Sequence, residues 1–263
     1  MNSTKKPVLL AVSFGTSHED ACRRNIGAIE DALQKAFPNY EVRRAFTAKM
    51  IIKKLRAEGV CVDSVREALD RLVNEGVREV VIQPTHVMPG TEYDMMTDDA
   101  IAFYGRFDRL SIGKALLTDE SDFDEMQRII CDMAKEYDDP DTAFVLMGHG
   151  TVHSANAGYA KLQRRINAAG RSNIFIGTVE AMPTVHYIRA LIRLGDYKRV
   201  VMTPLMIVAG DHAVNDMAGD GEDSWKHIFE EDGFKVECVL KGLGENENVR
   251  RLIVRHAASA ITE

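Results

Sequence analysis

The sequence predicts an α/β protein of two similar halves, each a parallel sheet flanked by helices, and three observations predict it. Short apolar runs of strand length alternate with helix-length amphipathic segments along the chain. Two of those runs, Val8-Leu-Leu-Ala-Val12 and Ala143-Phe-Val-Leu-Met147, are apolar throughout, as strands covered on both faces are. The pattern also restarts midway, with the turn after each of these runs and a longer motif further on occurring twice.

The elements follow in order. The strand over 8–12 exits into Ser13-Phe-Gly-Thr-Ser17. Ile26, Ile29, Leu33 and Phe37 share one face of a helix over about 19–36, which Pro38 stops. A second strand covers 41–46. One helix begins at Met50, and another covers 62–74 with Val65, Leu69 and Leu72 on one side. The third strand, 79–83, ends at Pro84. A loop over 85–92, a helix near 93–104 and a strand over 109–113 complete the half, and a helix over 121–137 follows. The second half has strands at 143–147, 174–179, 199–202 and 235–240. Helices are expected over about 155–169, 185–194, 223–231 and 246–261, with Pro183 suiting the start of the second. The loop 203–216 is too rich in Gly, Asp and Asn for a core and is expected to be irregular.

The totals narrow the function. At 263 residues the chain is one large domain or two of ordinary size, and 45% hydrophobic residues supply a substantial core. A net charge of −7 without a basic stripe argues against nucleic acid. No apolar run approaches the ~20 residues of a membrane helix. The basic start before Pro7 lacks a signal-peptide cleavage pattern, so the expected location is the cytoplasm. Cys22, Cys61, Cys131 and Cys238 form no C-x-x-C pair and are expected as buried free thiols. G-x-G-x-x-G, Walker and G-x-S-x-G motifs are missing, so neither a nucleotide nor an organic cofactor is expected.

The repeat organises the candidate chemistry. Ser13-Phe-Gly-Thr16 parallels Gly148-His-Gly-Thr151, and the stretch from Val80 to Gly90 matches that from Val200 to Gly210 at Val-Val, Pro and Gly. Ala48 aligns weakly with Ala181. Two domains are expected, 1–120 and 121–263, with a cleft between their carboxyl-end loops. Phe14 then falls opposite His149, Thr47 opposite Glu180, and Glu92 opposite His212. His149, Glu180 and His212 each follow a strand of the second half, and parallel strands bring their carboxyl ends to one edge. Two imidazoles and a carboxylate suit a divalent first-row metal or proton transfer. Each has a plainer alternative: His149 bonding loop backbone, Glu180 capping the next helix, His212 solvated. His18, His86 and His153 lie in loops at the same edge, whereas His186, His227 and His256 fall inside helices as packing or surface residues. The acidic stretch 216–223 is expected to be a mobile surface loop.

The motifs Val12-Ser-Phe-Gly-Thr-Ser17, Arg44-Ala-Phe-Thr47, Met147-Gly-His-Gly150, Val179-Glu180 and Pro204-Leu-Met-Ile-Val-Ala-Gly-Asp-His-Ala-Val-Asn-Asp216 resemble those of the anaerobic sirohydrochlorin cobalt chelatases of cobalamin biosynthesis. Asp223-Ser-Trp-Lys226 and Gly242-Leu-Gly-Glu-Asn246 extend the likeness over nearly the whole chain. The resemblance implies a class II, ATP-independent chelatase with two Rossmann-like, flavodoxin-like halves and the tetrapyrrole between them. It implies metal ligands His149, Glu180 and His212, with His149, His212 and Glu92 in acid–base roles. It also implies that the last helix, about 246–263, crosses back onto the first half. Ser13, Phe14, Arg44, Thr47, His86 and Gly150 are expected at the tetrapyrrole, with Arg43, Arg44 and Lys49 as partners for its carboxylates. The expected reaction inserts Co²⁺ into sirohydrochlorin, or a precorrin-2-like ring, releasing two protons. Alternatives at this stage are an iron or nickel chelatase, a non-catalytic metal or tetrapyrrole carrier, and a metal-dependent hydrolase or oxygenase. Oligomeric state stays open, a homo-oligomer among the options.

Overall fold

The computed structural model describes residues 5–262; residues 1–4, part of the basic start, fall outside them. The chain divides into two units, one running to Thr118 and resuming at Gly244, the other spanning Asp119–Leu243.

The first unit holds β1 (Val8–Ser13), α1 (Glu19–Cys22), a π-helical turn (Arg23–Gly27), α2 (Ala28–Ala36), β2 (Glu41–Phe46), α3 (Lys49–Ala57), α4 (Val65–Asn74), β3 (Glu79–Pro84), α5 (Thr91–Ile101) and β4 (Arg109–Ile112). The second holds α6 (Glu120–Ala134), β5 (Thr142–Gly148), α7 (Ala157–Ala168), β6 (Ile174–Thr178), α8 (Val185–Ile192), β7 (Arg199–Pro204), a π-helical turn (His212–Met217), α9 (Trp225–Glu230) and β8 (Lys235–Cys238). The final helix, α10 (Glu247–Thr262), belongs to the first unit and packs on α2, β3 and β4.

Local chemistry sets these boundaries. Ser64 caps α4 in a capping box with Glu67, and Val65, Ala68, Leu69 and Leu72 bury one stripe. Ile26, Ile29 and Leu33 are buried as their spacing predicted, although a π-helical turn interrupts the helix that carries them. Thr184 caps α8, so Pro183 stands just outside the cap rather than in the first turn. The four cysteines form no disulfide, but none is buried: Cys61 is exposed and the others are half-buried. No helix among the described residues is long and apolar enough to cross a membrane.

Both sheets are parallel and share one topology, β2-β1-β3-β4 and β6-β5-β7-β8. The central strands β1 and β5 are buried along their whole length. The hydrogen bonds past the strand ends repeat residue for residue. Ala48 N–H bonds to Phe14 O as Glu180 N–H bonds to His149 O, and Thr85 N–H bonds to Val12 O as Leu205 N–H bonds to Met147 O. Phe14 is therefore the counterpart of His149. Glu180, however, is matched by Ala48 rather than Thr47, one residue from the sequence alignment. That alignment leaned on a chance alanine pair where the real equivalence lies in backbone pairing.

Candidate metal site

In the second unit β5 lies between β6 and β7, so the chain leaves it in opposite directions at the carboxyl edge. Open α/β sheets form a ligand crevice at such a reversal. His149 is the first residue past β5, Glu180 the second past β6, and His212 opens the π-helical turn eight residues past β7. One ligand atom from each lies within 4.8 Å of the others. The two imidazoles meet edge to face, their centroids 4.8 Å apart at 87°. Metal–nitrogen bonds of about 2.1 Å leave tetrahedral ligands roughly 3.4 Å apart, so small side-chain rotations would close the group on a cation.

The rings are held differently. His149 Nδ1 lies 2.9 Å from Gly150 O and 3.6 Å from Glu180 Oε2. The plain alternative for His149, a bond to loop backbone, is thus present. His212 Nδ1 lies 2.6 Å from Asp216 Oδ2. Glu180 does not cap α8, because Thr184 does; its carboxylate is exposed toward His149. Both histidines are half-buried, which lets water or an ion reach them. The stretch 203–216 is not irregular to its end, since Ala213 and Met217 are buried and anchor a helical turn beneath His212.

Two supports escaped the sequence reading. Tyr159, on α7, has its hydroxyl 3.4 Å from Gly150 N–H, under the His149 turn. Burial pushes that hydroxyl's pKa up, so it stays protonated. Asp216 had been placed in a mobile surface loop. An i, i+4 His–Asp spacing was the available signal for both a turn and a pair.

The first unit gathers a different set at its strand ends. Thr47 Oγ1 lies 3.4 Å from His86 Nε2. Among the described residues, His86 Nδ1 and Glu92 Oε2 are buried atoms without a hydrogen-bond partner. Phe14 is exposed, as are Met50 and Met95, each in the segment after β1, β2 or β3. Two expectations need correction. Ser13 is buried, and its hydroxyl accepts from Thr85 at 2.9 Å, tying β1 to β3. Arg44 makes a bidentate pair with Glu30 on α2 at 2.6 Å, so its charge is spent inside the unit. Arg43 is likewise held by Glu41 and Glu75, whereas Lys49 is exposed. Ser13 and both arginines thus already have partners within the unit. His153 caps its own loop through Ala155 N–H.

Burial pushes the His86 pKa from 6.5 down to about 4. The unfolded chain therefore takes up a proton near pH 6.5 that the folded chain refuses until about pH 4. Stability from keeping the ring neutral is complete above pH 6.5 and is lost as pH falls through that window. The whole shift is worth at most about 3 kcal/mol. A His86→Gln variant is expected to lose Tm less steeply than wild type between pH 7 and 4.5. Equal slopes would show that His86 titrates normally.

Comparison with known proteins agrees with this architecture. The chain is 38% identical over 257 residues, 97% of each chain, to "Sirohydrochlorin cobaltochelatase" of Salmonella typhimurium. It is 32% identical over 264 residues to "Sirohydrochlorin cobaltochelatase CbiKC" of Nitratidesulfovibrio vulgaris, covering 98% of this chain and 92% of the relative. Among solved structures, SirB from Bacillus subtilis with Fe³⁺ shares the fold at a TM-score of 0.66 and 11% identity, over 97% and 96% of the two chains. CbiX, described as the terminal enzyme for biosynthesis of siroheme in denitrifying bacteria, does so at 0.55 and 17%, over 96% and 99%. With the sequence model of the cobalt chelatase (CbiK) family matching residues 7–262, the chain belongs to that family.

Proposed function

We propose that the protein is a sirohydrochlorin cobaltochelatase: it inserts Co²⁺ into the tetrapyrrole and releases the two protons of the ring nitrogens. The observation that carries this reading is the 38% identity to the Salmonella typhimurium cobaltochelatase over 97% of both chains. Co²⁺ is a substrate here, so the site must hold it firmly enough to present it and loosely enough to give it up. Two imidazoles and one carboxylate, all reachable from solvent, suit that task better than thiolates would.

In this reading His149, Glu180 and His212 hold the incoming cation, and the single carboxylate offsets part of its charge. As the ring nitrogens displace them, the freed imidazoles regain a lone pair that can accept pyrrole protons. His149 is taken as the principal base in this reading, with Gly150 O 2.9 Å and Glu180 Oε2 3.6 Å from its Nδ1. Glu92 is proposed as a further proton acceptor, supported by its unpartnered Oε2 and its place in Gly90-Thr-Glu-Tyr93. Phe14, Thr47, His86 and the Gly150 backbone are proposed to contact the ring. Val152, Met182 and Val214, exposed apolar residues two or three positions along the chain from a proposed ligand, suit the broad apolar faces of the ring.

The test uses the purified chain with Co²⁺ and sirohydrochlorin, without ATP. The absorbance of the metallated ring is expected to grow catalytically, with many turnovers per chain. Stoichiometric binding without acceleration would make the protein a carrier instead. Competition among Co²⁺, Fe²⁺ and Ni²⁺ against the same ring assigns the preferred metal.

A further inference from the structure

The carboxylate of Asp216 is the feature beside the proposed ligands that the reading above leaves unused. Its Oδ2 lies 2.6 Å from His212 Nδ1, the short distance expected of a charge-assisted bond. Among the described residues, this is the hydrogen bond that the structure gives Asp216, whose side chain is 46% exposed. A carboxylate that solvent already satisfies is not needed for packing. The pair is also unlike an ordinary surface pair at the same spacing. His227 and Glu231 are likewise four apart, but they meet through Nε2 at 3.5 Å, and neither belongs to the candidate metal group. Asp216 instead engages a ring nitrogen of a residue in the candidate metal group.

An imidazole that gives its Nδ1 hydrogen to an acceptor keeps a lone pair on Nε2, and a carboxylate acceptor makes that lone pair a stronger donor. His149 has a peptide carbonyl in the corresponding place, Gly150 O at 2.9 Å. The two imidazoles of the group are therefore unequal. We propose that Asp216 is a positioning residue for cobalt capture: it holds the Nδ1–H tautomer and orientation of His212, so that Nε2 is presented to the cation. The proposal rests on the reading of His212 as a ligand.

The experiment uses the full chain, free of metal and then titrated with Co²⁺. In wild type the ¹⁵N shifts of the His212 ring are expected to report hydrogen on Nδ1, and in Asp216→Ala a shift toward Nε2–H or a mixture. Co²⁺ affinity, followed by the visible absorption of the bound ion, is expected to fall about 10- to 100-fold in Asp216→Ala. Asp216→Asn keeps an oxygen that accepts from Nδ1–H and is expected to recover most of that loss. Circular dichroism and Tm are expected to match wild type in both variants. Wild-type affinity in Asp216→Ala, with weakened binding in His212→Ala, overturns the positioning role while leaving His212 a ligand. Equal losses in the alanine and asparagine variants overturn the hydrogen-bond account. Wild-type Co²⁺ affinity in His212→Ala removes the ligand reading itself, and this inference with it.

Discussion

Replacing His149 with alanine is expected to lower the rate of cobalt insertion by roughly 10²- to 10⁴-fold while leaving the fold intact. The size follows from two losses at one position. The variant removes a nitrogen from a group whose ligand atoms lie within 4.8 Å of one another, and it removes the proposed principal base. The fold should survive because the side chain is half-buried and its hydrogen-bond acceptor, Gly150 O, belongs to the same turn. A net hydrogen bond of this kind is worth about 1 kcal/mol. Co²⁺ titration and steady-state insertion separate the two roles. Loss of Co²⁺ affinity alone, restored at high Co²⁺, would leave His149 a ligand and assign the base to another group. A wild-type rate at low Co²⁺ would remove it from both roles. His153→Ala serves as the companion control, since that ring caps its own loop and is expected to be dispensable.

The sequence revealed the sheets because their central strands had no choice. Val8–Ser13 and Thr142–Gly148 are buried along their length, and a strand covered on both faces is apolar at nearly every position, with Ser13 and Thr142 at the strand ends as the exceptions. The grouping of His149, Glu180 and His212 was legible for a related reason: a parallel sheet puts the residues after β5, β6 and β7 on one edge however far apart they lie in the chain. Side-chain commitments were less legible. Arg44 sits near a strand end beside other basic residues, and only the packing of α2 on β2 shows that Glu30 has already claimed it. Ser13 is expected at the ring from the resemblance alone, yet β3 pairs beside β1 and Thr85 donates to its hydroxyl oxygen. Likewise, glycine and acidic residues around His212 suggested irregular loop. Burial of Ala213 and Met217, two small footholds in a polar stretch, was enough to wind a turn there. The displaced match between Thr47 and Glu180 has the same origin, since side-chain likeness is a poor guide where only backbone pairing is repeated.

Gly150→Ala is the second large expected effect, and it acts on two proposed ligands through one methyl group. Gly150 has a φ of +85°, which side chains with a Cβ rarely adopt. A Cβ there would also lie 2.9 Å from Ala181 N and 2.9 Å from Thr178 Oγ1. The first neighbour is backbone and the second is fixed by its bond to Ala181 O, so neither can yield cheaply. Gly150 directly follows His149, and Ala181 directly follows Glu180. Separating the two turns must therefore move both ligands. The left-handed backbone costs about 1–2 kcal/mol by itself, and the contact adds to it, for an expected total of about 2–4 kcal/mol in unfolding free energy. If half of that strain is relieved by moving the turns apart, the Co²⁺ group opens and affinity falls by about tenfold or more. Gly170→Ala separates the two causes. Gly170 has a φ of +79° but nothing within 4 Å of its would-be Cβ, so the variant is expected to lose stability through strain and to bind Co²⁺ as wild type does. Equal effects of the two substitutions on Co²⁺ affinity would mean that the close approach of these turns does not set the ligand geometry.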